Sequence, residues 1–175
     1  MKKDNSQPYY AAMLSLQGRL CVVAGGGFVA KRKIAALLHA GAAVRVVSPQ
    51  LVAQLHDAVK MGVLDYVPRS WKEGDGDNAW LIVAATNDRE VNRAIALQAE
   101  ARRQWVNVVD DPSLCTLIVP ASISLPDVLI AISTRGANPS RAKQLRKALE
   151  SDVAQGTDQF IGMLRQKGAN LPKER

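Results

Sequence analysis

The stretch LCVVAGGGFVA, at residues 20–30, decides the fold class of this chain. Its first five residues are apolar and include two β-branched valines, which is typical of a buried strand, and three glycines follow. An amphipathic segment then runs from Val29 to Ala40, and Gly41 is its expected end. Its apolar face carries Ala30, Ile34, Leu37 and Leu38. A strand, a glycine turn and a helix in this order predict the opening unit of a parallel α/β sheet.

The glycine turn has the spacing Gly-x-Gly-x-x-Ala that is typical of dinucleotide-binding folds. We expect Gly25 to permit the tight turn, Gly27 to let the backbone approach a pyrophosphate, and Ala30 to let the helix pack closely on the sheet. The helix N-terminus then binds the anion. The predicted cofactor contacts of this segment are Gly25, Gly26, Gly27, Phe28, Val29 and Ala30. The alternative is a glycine turn that only connects a strand to a helix.

The alternation of strands and helices continues as far as Val109 and predicts a doubly wound parallel sheet with right-handed crossovers. We expect a loop at residues 72–78, and Asn87 or Asp88 as the cap of the helix through Val91, Ile95 and Ala99. Further strands are expected at residues 43–47, 64–67, 80–85 and 106–109, and a further helix at residues 51–60.

Three segments should flank the nucleotide at the carboxyl edge of this sheet. About 20 residues after the glycines, where such folds usually offer a carboxylate to the ribose, the chain has Ser48 and Pro49. Ser48 can bond a ribose hydroxyl, and residues 48–50 contain no cation for a 2′-phosphate, so NAD is favoured over NADP; Arg45 leaves that choice open. The loops after the fourth and fifth strands are expected to contribute Thr86, Asn87, Asp88 and Asn107.

The pattern changes beyond Pro112, where two apolar runs, 116–119 and 128–132, predict strands of a new lobe. Asn138 and Pro139 then cap and open a helix. Its expected apolar side carries Ala142, Leu145, Leu149 and Val153, and its other side Arg141, Lys143, Arg146 and Lys147. That basic side is either a solvated surface or a binding surface for an anion.

Composition restricts the class of partner. The chain has 23 Lys and Arg against 16 Asp and Glu, a formal charge of +7, and this favours anionic partners. Only 5% of its residues are aromatic and they do not interleave with basic runs, so we expect a small polyanion and no nucleic acid. The apolar runs are too short to cross a bilayer, which predicts a cytoplasmic protein without membrane contact.

Other side chains are expected to be structural. Cys21 and Cys115 are predicted to be small buried residues, and the chain has no Cys/His spacing typical of a metal site. His39 and His56 fall in predicted helices, where we expect them at the surface. Trp71, Trp80 and Trp105 are expected to pack in the core.

Four motifs together resemble the precorrin-2 dehydrogenase family, which includes the N-terminal module of siroheme synthase. They are GGGFVAKRK at 25–33, AATND at 84–88, NVVDDP at 107–112 and STRGANP at 133–139, and they occur in the family's order. The resemblance implies a Rossmann-type NAD-binding domain at residues 1–112. It also implies a small α/β dimerisation lobe with a helical tail at 113–175, a homodimer, and oxidation of the anionic tetrapyrrole precorrin-2 to sirohydrochlorin in siroheme or cobalamin biosynthesis.

The resemblance also assigns roles to residues. It places the family's important aspartate on Asp110, as proton acceptor or as a group that orients the substrate, although Asp110 and Asp111 before Pro112 also suit an ordinary turn. Ser133 and Thr134 are expected near the tetrapyrrole, or in a turn before the helix. Arg135, Arg141 and Arg146 are expected to bind the substrate's carboxylates.

Two other classes of function stay open at this stage. One is a regulatory module that binds NAD without turnover, and the other is a protein that binds sirohydrochlorin without needing NAD. Iron or cobalt chelation is a further possible activity, because the macrocycle itself supplies the nitrogen ligands.

Overall fold

The structure, a computed structural model, describes residues 9–126 and 128–160. These residues form two compact units, one spanning 10–118 and the other containing 119–126 and 128–160. The strands are β1 (Leu20–Ala24), β2 (Ala43–Val47), β3 (Asp65–Val67), β4 (Leu81–Ala84), β5 (Trp105–Val108), β6 (Ala121–Ser124) and β7 (Leu129–Ile132). The helices are α1 (Phe28–His39), α2 (Ala53–Lys60), α3 (Arg89–Ala101) and α4 (Pro139–Gln155), with a 3-10 turn at Pro112–Leu114.

The first unit is a five-stranded parallel sheet in the order β3-β2-β1-β4-β5. Alternate residues of β1 point to opposite faces, so Cys21 and Val23 join the core under α1 and α2 while Val22 and Ala24 join the core under α3. Both faces of the sheet are therefore covered, as the apolar strand sequences predict. The chain leaves β1 towards β2 and later returns to the other side at β4, which makes the carboxyl edge between them the switch point where such sheets bind ligands.

The expected order of elements in this unit is confirmed, with ends that differ by one or two residues. Asp88, and not Asn87, caps α3, because its carboxylate accepts from Glu90 N at 2.9 Å and from Val91 N at 3.3 Å. His39 and His56 are exposed, as expected.

Of the three tryptophans, one packs as expected and two do not. Trp71 packs against the core under α3 and donates to Gln98 Oε1 at 3.1 Å. The prediction for Trp80 and Trp105 was wrong, since both are 48% exposed at the amino edge of the sheet. The Arg19 guanidinium lies over the Trp80 ring, 3.8 Å from its centroid. This cation–π contact stabilises the ring face while the ring stays exposed.

The second unit contains the antiparallel pair β6–β7 and α4. The first expected strand was misplaced: residues 116–119 are irregular, and β6 begins at Ala121. Asn138 caps α4 by accepting from Arg141 N at 2.9 Å, as predicted. The buried side of α4 is Ala142, Leu145, Ala148 and Asp152, whereas Val153 is 53% exposed, so the expected apolar side was shifted at its C-terminal end.

Candidate active site

Gly25 closes the turn after β1 against the end of β4. Its φ is +113°, and a Cβ at this position would lie 2.3 Å from the backbone oxygen of Ala85. Its amide donates to Val47 O at 2.9 Å, which joins the turn to the end of β2. Only glycine combines this φ with so close an approach, so the sequence-based role of Gly25 agrees with its position.

Gly26 has a role that the spacing argument did not assign. Its carbonyl accepts from Val52 N at 2.9 Å, and a Cβ would lie 2.1 Å from Gln50 O and 3.0 Å from Ser48 Oγ. The segment after β2 therefore lies directly against the glycine turn. A third glycine in a row is the one sequence signal of this close approach.

Gly27 and the start of α1 form the open part of the turn. No described atom lies within 4 Å of a Cβ built on Gly27, and no described side chain caps the helix. Lys31 N donates to Gly27 O at 2.9 Å, so the amides of residues 28–30 precede the first regular helical bond. Phe28 is 70% exposed and Val29 39%, while Ala30 is fully buried against the sheet. Open space beside unsatisfied amides fits the pyrophosphate of a dinucleotide.

Ser48 follows β2 and is only 6% exposed. Its hydroxyl donates to Gln50 O at 2.7 Å and accepts a long bond of 3.4 Å from Gln50 N. Because its single proton is engaged, Ser48 Oγ has only acceptor capacity left for a ligand. An acceptor of this kind suits a ribose hydroxyl, which donates, better than a phosphate oxygen. Pro49, next to it, is exposed.

The loop after β4 is held by a residue that the sequence analysis missed. Asn92 of α3 is 1% exposed; its Oδ1 accepts from Thr86 N at 3.1 Å and from Thr86 Oγ1 at 2.7 Å, and its Nδ2 donates to Thr86 O at 3.1 Å. Thr86 and Asp88 are thus engaged in the loop and the helix cap, and Asn87 is exposed between them. A polar residue among the buried residues of α3, four after its cap, was the available signal.

We expect Asn92→Ala to lower the free energy of unfolding by about 2 kcal/mol, because three hydrogen bonds are lost and Thr86 keeps unpaired backbone groups. Urea unfolding followed by circular dichroism measures this change. Arg93→Ala, on the exposed side of the same helix, is the control and should shift stability by less than about 0.5 kcal/mol. Equal effects of the two changes would contradict the role of Asn92.

Cys115 fixes the loop that follows β5. Its Sγ accepts from Val108 N at 3.2 Å and donates to Val108 O at 3.3 Å, and Asn107 Nδ2 lies 3.6 Å away. Asn107 also donates to Leu117 O at 3.1 Å, and its buried Oδ1 has no hydrogen-bond partner among the described residues. Residues 109–114 are therefore closed into a short loop on the end of β5, and this loop carries Asp110.

Both thiols should resist alkylation in the folded protein. Burial raises the pKa of the Cys21 thiol from 9.0 to about 11, and burial also raises the pKa of Cys115. The reactive thiolate is thus disfavoured as well as inaccessible. After treatment with iodoacetamide at pH 8, mass spectrometry should show neither cysteine modified in the native protein and both modified in urea. Rapid native labelling of Cys115 would show that the loop opens.

Asp110 lies two residues beyond β5, at the same edge of the sheet as the glycine turn. Its side chain is 42% exposed, and the Nε of Arg89, at the start of α3, is 3.9 Å from its Oδ2. Since β5 is two strand positions from β1, the lateral separation at the edge is about 10 Å. Neighbouring Asp111 instead caps the turn at Pro112–Leu114 by accepting from Ser113 N at 3.0 Å. The two carboxylates thus differ: Asp111 has the turn role, and Asp110 is available to a ligand.

The remaining predicted residues lie in the second unit. Ser133 Oγ accepts from Arg135 N and Thr134 Oγ1 accepts from Asn138 N, each at 3.1 Å, so both hydroxyl protons are left to donate. Arg135 has a positive φ of 55°, and Arg141 lies in the first turn of α4. Arg146 forms an ion pair with Glu150, which engages part of its charge within the helix.

Residues 9–126 and 128–160 contain no group of three or more His, Cys, Asp or Glu side chains arranged to hold a metal ion. None of the helices in this part of the chain has the length and apolar character needed to span a membrane.

Comparison with known proteins agrees with this geometry. The model of a family described as "Putative NAD(P)-binding" matches residues 12–121. A solved structure named "SirC, precorrin-2 dehydrogenase" shares 34% identity with a TM-score of 0.71, over 90% of this chain and 76% of that one. The chain belongs to the precorrin-2 dehydrogenase family. The family and the doubly wound α/β fold expected from the four motifs are therefore confirmed.

Relatives in sequence are longer proteins. Siroheme synthase of Methylobacillus flagellatus is 42% identical over 138 residues, which are 79% of this chain and 30% of the relative. Siroheme synthase of Pseudomonas aeruginosa strain LESB58 is 40% identical over 149 residues, 85% of this chain and 32% of the relative. The chain thus spans less than a third of the length of either protein. The match of residues 12–121 to the NAD(P)-binding family model also confirms that the cofactor of the first unit is a nicotinamide dinucleotide.

Proposed function

We propose that this protein oxidises precorrin-2 to sirohydrochlorin with NAD⁺. The observation that carries the proposal is the placement of two features at one edge of the sheet. One is an open glycine turn at the start of α1, which no described side chain caps, and the other is Asp110 two strands away. A dinucleotide whose pyrophosphate lies at Gly27 extends its nicotinamide end towards β4 and β5. The name of the structural relative, SirC, precorrin-2 dehydrogenase, supports precorrin-2 as the substrate.

Residues of this chain supply binding and proton transfer. The glycine turn at residues 25–27 would hold NAD⁺, which would supply the acceptor for a hydride from the macrocycle. The same oxidation releases one proton, and Asp110, half-exposed at the nicotinamide end, is positioned to accept it at a carboxylate oxygen. Thr86, held by Asn92, gives that end of the site a fixed wall. The acceptor-only Oγ of Ser48 favours a ribose hydroxyl, and therefore NAD⁺ over NADP⁺.

The second unit is proposed to bind the substrate's carboxylates. Ser133 and Thr134 each keep a hydroxyl proton to donate, and Arg135 and Arg141 supply positive charge next to them. Charge-assisted hydrogen bonds of this kind are the strongest that a carboxylate accepts. We assign Arg146 a smaller share, because Glu150 already neutralises it.

We also propose a homodimer formed through the second unit. Val119, Val128 and Leu129 are 46%, 45% and 52% exposed in and beside the β6–β7 pair, and a second copy would cover them. Analytical ultracentrifugation at micromolar concentration should show a dimer, and a monomer would contradict this proposal.

A cytoplasmic location stays a prediction.

Anaerobic mixing of the protein with precorrin-2 and NAD⁺ tests the proposed reaction. The NADH absorbance band and the sirohydrochlorin spectrum should appear together, and NADP⁺ in parallel should give a slower rate. Gly27→Asp, which places a carboxylate in the pyrophosphate space, should abolish turnover. Tetrapyrrole binding without any NADH formation by the unaltered protein would favour a carrier, and NAD⁺ binding without turnover would favour a regulatory module.

A further inference from the structure

The carboxyl end of β3 carries a cation close to the ribose end of the nucleotide site. β3 is the neighbour of β2, and Ser48 N donates to Val67 O, the last residue of β3, at 3.2 Å. Arg69 lies two residues further on, and its own amide donates to the same oxygen at 2.9 Å. Adjacent strands are about 5 Å apart, so the backbone of Arg69 lies about one strand spacing from Ser48. The long Arg69 side chain can therefore reach a group attached to a ribose that is bound at Ser48. In the sequence such a cation was expected within residues 48–50, which contain none, and Arg69 lies on a different strand connection.

Arg69 is engaged by Asp75. The guanidinium donates from Nη1 to Oδ2 and from Nη2 to Oδ1 of Asp75, both at 2.7 Å, in a bidentate pair. Asp75 Oδ2 also accepts from Lys72 N at 2.7 Å, and the Asp75 side chain is only 10% exposed. The Arg69 guanidinium holds the pKa of this carboxyl below its usual value. A pair with this geometry engages both terminal nitrogens of the Arg69 guanidinium within the loop.

We propose that Asp75 determines the choice between NAD⁺ and NADP⁺ by keeping Arg69 from binding a 2′-phosphate. An arginine near the ribose is the group by which dinucleotide-binding folds accept that phosphate. Here the arginine is Arg69, and its two terminal guanidinium nitrogens already donate to the Asp75 carboxylate. The inference deepens the proposed function and rests on the nucleotide lying with its ribose towards β2. Ser48 and Asp75 then act together, one by accepting from the ribose hydroxyl and the other by engaging the nearby cation.

The chain contains a matched control pair. Arg45 and Asp65 face each other across β2 and β3, with Nε 2.6 Å from Oδ2. Arg45 is three residues before Ser48, which places it about 10 Å back from the edge. Asp65→Asn, which releases Arg45, changes the net charge of the protein by the same amount as Asp75→Asn. The cation that it frees, however, lies away from the nucleotide site. In the sequence, Arg45 left the choice between NAD⁺ and NADP⁺ open. We assign the influence on that choice to Arg69 instead.

The test is a comparison of NAD⁺ and NADP⁺ dissociation constants by isothermal titration calorimetry, with the full 175-residue chain. Asp75→Asn keeps an acceptor for Lys72 N and releases the guanidinium. We expect it to tighten NADP⁺ binding about tenfold, the gain of one charge-assisted hydrogen bond, with NAD⁺ binding changed less than about twofold. The double variant Arg69→Ala with Asp75→Asn should return the NADP⁺ value to that of the unaltered protein, and Asp65→Asn should leave it unchanged.

Three results would overturn the inference alone: no gain in Asp75→Asn, an equal gain in Asp65→Asn, or a gain that persists in the double variant. If Asp75→Asn does not fold, Asp75→Ser, which also leaves an acceptor for Lys72 N, is measured in its place. Binding of 2′,5′-ADP against 5′-ADP gives a second readout of the phosphate itself. Failure of the unaltered protein to bind either dinucleotide would instead overturn the proposed function, and this inference with it.

Discussion

Asp110→Asn is expected to lower the turnover of precorrin-2 about 10²- to 10⁴-fold, the range of a lost general base, while NAD⁺ affinity stays within about twofold. The amide is nearly the same size as the carboxylate but does not take up the proton released in the oxidation. Asp110 lies beyond β5, away from the glycine turn that we propose as the pyrophosphate site, so nucleotide binding should not depend on its charge. Stopped-flow absorbance measures turnover, and calorimetry measures NAD⁺ binding.

Asp111→Asn is the matched control, since it removes the same charge one residue away. Asp111 caps the turn at Pro112–Leu114, and an asparagine caps about as well, so this substitution should change stability by less than about 0.5 kcal/mol and leave turnover nearly unchanged. If Asp110→Asn keeps more than a tenth of the normal rate, or if both substitutions reduce it equally, Asp110 is not the proton acceptor.

Gly25→Ala should reduce the free energy of unfolding by roughly 3–5 kcal/mol, the largest stability effect that we expect from a single substitution in this chain. The alanine must adopt a φ of +113° and place its Cβ 2.3 Å from Ala85 O, a backbone atom at the end of β4 that has little freedom to move. For a protein of this size the loss corresponds to a decrease in Tm of about 10 °C. Differential scanning calorimetry measures it directly.

Gly27→Ala separates the two roles of the glycine turn. Its φ of −82° suits any residue, and no described atom lies within 4 Å of the new Cβ, so stability should change by less than about 1 kcal/mol. The methyl group occupies the space assigned to the pyrophosphate, and NAD⁺ affinity should fall at least about tenfold. If Gly25→Ala were as stable as Gly27→Ala, the close approach to Ala85 would be wrong. Unchanged NAD⁺ affinity in Gly27→Ala would place the nucleotide elsewhere.

Residues at the ends of elements were the ones that sequence patterns placed least well. Trp80 and Trp105 are large aromatic residues at strand starts, and burial was the natural expectation from their size. Both lie at the amino edge of the sheet, Trp80 just before β4 and Trp105 at the first residue of β5, and the fold leaves each of them 48% exposed. On α4, Ala148 and Asp152 take the buried positions expected for Leu149 and Val153. Asp152 is buried there because its carboxylate accepts from Gln159 N and Phe160 N of the following segment, a partner that periodicity alone does not reveal.

The sequence by itself determined the parallel α/β fold, the glycine turn, the family and the candidate Asp110, because each depends on local features: periodicity, glycine spacing and short motifs. Only the tertiary structure decided which side chains act together across the sheet. Asn92 holds Thr86, Cys115 closes the loop of Asp110, and Asp75 engages Arg69 beside Ser48. These contacts depend on which strands lie side by side and on how loops close at their ends. Long-range hydrogen bonding and packing fix that arrangement, and a local pattern along the chain does not encode it.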